Sequence, residues 1–160
     1  VLSLFTAAML ALVLSDNFLG LFMAWEVMGL CSYLLIGFWH EQEAPRLASI
    51  KAFLTTKVGD LGFMLALAVI YAEVRAFDFA TVLTHPWAAG SATLVALLML
   101  FGAMGKSAQA PLHVWLPDAM AGPTPASALI HAATMVAAGV FLVVRAFPIF
   151  EASGRKMGVI

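Results

Sequence analysis

Charge is scarce in this sequence. Of its 160 residues only eight are Lys or Arg and nine are Asp or Glu, against about a quarter charged in an average soluble domain. The formal net charge of −1 offers no basic surface for a nucleic-acid partner. Cysteine is scarcer still. The single thiol, Cys31, excludes an internal disulfide, an iron–sulfur cluster and a cysteine-based zinc site. If electrons move in this system, they move in another subunit. No Met or basic leader precedes the opening apolar run VLSLFTAAMLALVL, so it does not read as a signal peptide. Because the sequence starts inside that run and stops just after ASGRKMGVI, both ends are expected to be cut points in a longer protein.

What fills the space is apolar. Hydrophobic residues make up 63% of the chain, and the mean hydropathy is +1.00. A soluble chain of this size has too little interior to hide that surface, so the fold class is expected to be all-α, a polytopic transmembrane helix bundle. Five segments fit spans of about 20 apolar residues: 1–14, which is truncated, 18–39, 45–73, 91–121 and 125–149. Ser15, Asp16 and Asn17 offer caps for the second. Pro45 suits the first turn of the third, and Thr124 with Pro125 forms a cap and first-turn pair for the fifth. Residues 74–90 read as an interfacial loop. Arg46 and Lys51 lie toward one side and Arg75, Arg155 and Lys156 toward the other, so charge fixes no orientation.

The fourth segment is too long. Its 31 residues would make a helix of about 46 Å, against a hydrocarbon core of about 30 Å. Pro111 and Pro117 lie inside it, with Gly102 and Gly105 just before. Proline removes a backbone donor and clashes with the preceding turn, so one discontinuous helix is expected, broken near 107–112. Irregular backbone at membrane depth persists only where protein buries it or where it lines water, which marks a candidate ion path.

Four charged residues fall near the middle of spanning segments: Glu26, Lys57, Asp60 and Lys106. Each costs roughly 2.5–3.5 kcal/mol at a helix centre, and all four on the order of 10–14 kcal/mol if unpaired. Lys57 and Asp60 are three apart and share a helix face, so a local structural ion pair is one account of them. Glu26 and Lys106 have no partner within their own helices, and side by side they would form a pair that can be made and broken. A lysine in water keeps its proton at pH 7. Burial disfavours the charged form, and a nearby carboxylate supports it. Moving or neutralising Glu26 would let Lys106 release a proton, and restoring the carboxylate would reload it. His131 is a relay candidate on its ordinary titration range, or a packing histidine. His113 and Asp118 follow the break, as relay groups or at the water interface. Glu41, Glu43, Arg46, Lys51, Glu73 and Arg75 lie near segment ends and read as solvated or snorkelling.

Two motifs lead nowhere. Gly105-Lys106-Ser107 looks like the tail of a phosphate-binding loop, but position 100 is Leu100 and an apolar helix precedes it. His40-Glu41 starts like a zinc-protease motif, but the second histidine would fall at Ala44.

The stretch GAMGKSAQAPLHVWLPDAMAGPTPASALIHAATMVAAGV (102–140) resembles the signature of the antiporter-like proton-pumping subunits of respiratory complex I, NADH:quinone oxidoreductase. The likeness is strongest to the distal, subunit L or chain 5 type, and AWEVMGLCSYLLIGFW (24–39) and KAFLTTKVGD (51–60) fit the same pattern in order and spacing. The resemblance implies that Glu26 is the family's glutamate on the fifth transmembrane helix and Asp60 the acidic residue on the sixth. It makes Lys106 the central lysine beside the break in the seventh, and His131 the eighth-helix histidine of the relay. Lys57 stands where the family usually carries arginine, which keeps the charge and loses the bidentate geometry. The family's later lysine falls beyond residue 160, so the chain would hold the first half of a proton relay. NADH, FMN, iron–sulfur clusters and quinone are expected in partner subunits, with other membrane-arm subunits and the lipid bilayer as partners. The expected location is a bacterial inner membrane, or the mitochondrial inner membrane if the protein is organellar. A subunit of a multi-subunit sodium/proton antiporter, of a related membrane-bound hydrogenase or of a bicarbonate-uptake complex is the alternative within this resemblance. A scaffold whose ion pairs only fix helix packing is the alternative outside it.

Overall fold

The computed structural model describes residues 1–130 and 134–157, which form eight α-helices and no strand. The first two follow the apolar runs. Helix α1 covers Leu2–Leu14 and α2 covers Phe18–Ile36. Asn17 caps α2 by accepting a bond from the Gly20 N–H at 2.6 Å, as its short side chain and extended backbone suit. Helix α2 stops three residues short of the expected 39, at Gly37, whose N–H donates to the Tyr33 carbonyl. Helix α3, Glu43–Val74, runs 32 residues with Pro45 in its first turn.

The expected loop at 74–90 contains a helix. Helix α4, Phe79–Thr84, is too short to leave a periodic signature. Asp78 caps it, accepting from the Thr81 N–H at 2.8 Å. The Thr81 hydroxyl and N–H beside it hold the Asp78 carboxyl below the usual carboxylate range. Phe79 packs edge-on against Phe18 with centroids 4.6 Å apart, and a backbone bridge joins Asn17 to Asp78. The start of α2 and the start of α4 are thereby stitched together.

Helix α5 covers Ala89–Lys106 and ends where the prolines require. The expected helix does not resume beyond the break. Residues 107–117 form turns, and only a 3-10 turn at Asp118–Ala121 follows. Two prolines within seven residues leave no stretch long enough for a second half-helix. Ala108 sits in the left-handed region at φ 49°, and the Gln109 N–H reaches back to the Met104 carbonyl at 3.0 Å. This closes α5 with a left-handed cap residue, a place that usually takes glycine. The carbonyl of Gly105, left without a helical donor, accepts the indole N–H of the buried Trp115 at 3.0 Å.

The fifth expected segment is also corrected. In place of one helix over 125–149 there are α6, Thr124–Ala128, and α7, Met135–Arg145. Helix α6 opens into a π-turn at Leu129 and Ile130, and the backbone at Thr134 is non-helical. The Thr134 hydroxyl donates to the Leu129 carbonyl at 2.6 Å. Helix α8, Phe147–Met157, then runs past the expected end at 149. It bends 57° from α7. Pro148 accounts for the bend, since it cannot donate to the preceding turn.

By length and apolarity, α2 and α3 are long enough to cross a membrane, and the bent α7–α8 pair makes a third span if taken together. Helices α1 and α5 are apolar but shorter.

The most extensive helix contact is between α3 and α5. A Cβ on Gly59 would sit 2.9 Å from the Cα of Gly105, and one on Gly102 would sit 2.8 Å from the Phe63 Cβ. Only the missing side chains at this seam let two backbones meet, a device common between membrane helices.

Candidate functional site

The site forms where α2, α3 and the end of α5 converge. Lys106 is the last residue of α5 and is fully buried, while Asp60, in mid-α3, is 3% exposed. Lys106 Nζ donates to Asp60 Oδ2 at 3.2 Å. The other carboxylate oxygen, Oδ1, accepts the Trp25 indole N–H at 2.6 Å. Lys57, one turn before Asp60 on α3, places its ammonium 3.8 Å from the same Oδ2. Lys57 also forms an ion pair with Glu26 of α2.

The expected partnership is therefore redistributed. Lys106 does not meet Glu26. Two residues of α3 take their places as partners: Lys57 takes Glu26 and Asp60 takes Lys106. The local Lys57–Asp60 pair exists, as a link in a longer string. In order, Glu26, Lys57, Asp60 and Lys106 alternate in sign across three helices. The string runs from part exposure to complete burial: 29% at Glu26, 32% at Lys57, 3% at Asp60 and none at Lys106. Its outer end lines a groove of about 580 Å³, walled by Phe22, Leu54, Val58, Leu61 and Met64. Neither Glu26 nor Lys106 stands isolated against lipid.

Two neighbours were not singled out in the sequence. Trp25 both holds Asp60 and lies under Lys106, whose ammonium is 5.8 Å from the ring centroid. Gly29, one turn further along α2, leaves the room for that ammonium, because a Cβ there would come within 2.5 Å of Nζ. A tryptophan in an apolar helix reads as packing, and only its spacing of one turn from a glycine hinted at a shared face. A Gly29→Ala variant is expected to drive the ammonium off Asp60. A solved structure of the variant should show the Nζ–Oδ2 separation lengthened beyond hydrogen-bonding range; an unchanged 3.2 Å contact would remove the role given to Gly29.

The remaining candidates lie apart. Asp118 pairs with Lys51 at 2.6 Å, both about half exposed, and pins the 3-10 turn against α3. His113 is exposed. His131 lies outside the described residues. Among the described residues, no three His, Cys, Asp or Glu side chains cluster as metal ligands.

Comparison with known proteins decides the family. Residues 15–160 match the family described as "NADH:quinone oxidoreductase/Mrp antiporter, TM". The chain belongs to this family. It is 54% identical over 158 residues to NAD(P)H-quinone oxidoreductase subunit 5, organellar chromatophore 1, of Paulinella chromatophora, covering 94% of this chain and 24% of that protein. It is 50% identical over 173 residues to NADH-quinone oxidoreductase subunit L of Neisseria meningitidis serogroup B, covering 99% of this chain and 26% of the relative. A chain in the solved Mrp complex from Dietzia sp. superposes with a TM-score of 0.86 at 37% identity, over 94% of this chain and 16% of that one. The chain thus spans about a quarter of the length of the curated relatives it matches. Those relatives are subunits of NADH:quinone oxidoreductases, and this member of the NADH:quinone oxidoreductase/Mrp family is an integral membrane protein.

Proposed function

We propose that the chain forms part of a proton-translocating, antiporter-like subunit of NADH:quinone oxidoreductase, with Glu26, Lys57, Asp60 and Lys106 as the conducting groups and His131 as the next relay residue. The observation that carries this is the alternating string of charges, which ends on a fully buried lysine at the last residue of α5. One carboxylate oxygen of Asp60 serves two ammonium groups at 3.2 and 3.8 Å. An ammonium without a counter-charge is expensive in an apolar setting. A shift of Asp60 toward Lys57 therefore favours release of the Lys106 proton, and its return favours reloading. Partner subunits supply the energy, and NADH, FMN, the iron–sulfur clusters and quinone belong to them. The membrane is the bacterial inner membrane, or the equivalent energy-converting membrane of an organelle.

The test uses the full-length subunit in its complex, reconstituted into vesicles. Asp60→Asn is expected to lower NADH-driven vesicle acidification at least tenfold while quinone reduction persists with an uncoupler present. Wild-type acidification in that variant would end the proposal. The likeness to a chain of the Mrp complex favours a second reading, a cation/proton antiporter subunit. Proton movement that stops when sodium is replaced by potassium would favour that reading.

A further inference from the structure

We infer that Trp25 is a positioning residue for the proton relay: its indole N–H reserves one oxygen of Asp60, so that Lys57 and Lys106 must share the other. This rests on the translocation reading above. Asp60 is a buried carboxylate with two cations in reach. Left free to turn, such a group offers both oxygens to one ammonium and settles there, since charge-assisted bonds are among the strongest available. Here Oδ1 is already committed at 2.6 Å to the Trp25 indole, a donor that carries no charge and cannot accept. That leaves Oδ2 as the single point of exchange, 3.2 Å from Lys106 and 3.8 Å from Lys57.

The indole is itself well fixed. Trp25 is fully buried, and its ring meets Phe63 edge-on with centroids 5.4 Å apart. Phe63 lies one turn beyond Asp60 on α3, so the element that carries the carboxylate also braces the donor. The ring's second role, beneath the Lys106 ammonium at 5.8 Å, gives that group a weak resting place when it leaves Asp60. Bulk alone does not achieve this. A phenyl ring could fill much of the same space and offers no N–H.

The experiment compares wild type, Trp25→Phe and Trp25→His in the full-length subunit within its complex, in vesicles, from about pH 5.5 to 9. Trp25→Phe keeps an aromatic ring and removes the donor. It is expected to lower protons moved per NADH oxidised at least threefold and to displace the pH profile of coupling, with uncoupled quinone reduction retained. Trp25→His restores a neutral donor above the ordinary imidazole range of about pH 6.5 and becomes a cation below it. Its coupling should recover at high pH and collapse at low pH, where the new charge faces Lys106. Wild-type coupling in Trp25→Phe, or equal and pH-independent losses in both variants, would overturn the inference. If Trp25→Phe does not assemble, the pH dependence of Trp25→His decides alone. Lys106→Met in the same vesicles separates the two levels. If Lys106→Met pumps normally, the translocation reading fails. If it is silent while Trp25→Phe is normal, only the role of Trp25 fails.

Discussion

Replacing Lys106 with methionine is expected to abolish coupled proton movement and to destabilise the assembled subunit, whereas Lys106→Met together with Asp60→Asn recovers the stability without the transport. The single change leaves the 3%-exposed Asp60 carboxylate with Trp25 and a more distant Lys57. Removing one partner of a buried pair typically costs about 3–5 kcal/mol, while replacing both by neutral groups of similar shape is often harmless. The two variants therefore divide transport from scaffolding. Thermal unfolding of the solubilised complex reads the stability, and acidification of vesicles reads the transport. A double variant that is stable and pumps normally would remove Lys106 and Asp60 from the conducting path.

The other large effect is expected at the seam between α3 and α5. Gly59→Ala places a methyl 2.9 Å from the Cα of Gly105 and 3.2 Å from the Phe101 carbonyl, both backbone atoms that no rotamer change can move. The helices must separate. Overpacking of this kind costs about 1–3 kcal/mol, and the separation occurs one residue from Asp60, so its 3.2 Å contact with Lys106 on the opposite helix lengthens. A lower melting temperature together with a loss of coupling is the expected result. Gly90→Ala provides the control. A Cβ there meets nothing within 4 Å, and alanine is the better helix former, so stability should hold or rise slightly. Equal behaviour of the two alanine variants would contradict the close approach at Gly59.

Much of this was legible in the sequence, for reasons that particular residues make plain. Asn17, Pro45 and the apolar runs located α1 to α3, because caps and long hydrophobic stretches act locally. Pro111 and Pro117 located the end of α5 for the same reason. Helix α4 was hidden because six residues held by Asp78 and the burial of Phe79 and Val82 carry no period. The interruption between α6 and α7 was hidden because LIHAATMV is apolar and contains no proline. The four charged residues were identifiable from cost alone, but their pairing was not. Which face of α3 meets α2 and which meets α5 is decided by the glycines at 59, 62, 102 and 105, and a single sequence does not say which of its helices will be neighbours.

The tie between Ser107 and α7 has a mechanical consequence. The Ser107 hydroxyl donates to the Val136 carbonyl at 2.7 Å, and Ser107 is the next residue after Lys106. Only one peptide unit separates the anchor on α7 from the residue bearing the innermost amine. A slide of α7 that kept this bond would draw the backbone at Lys106 along with it, with the glycine seam serving as the bearing.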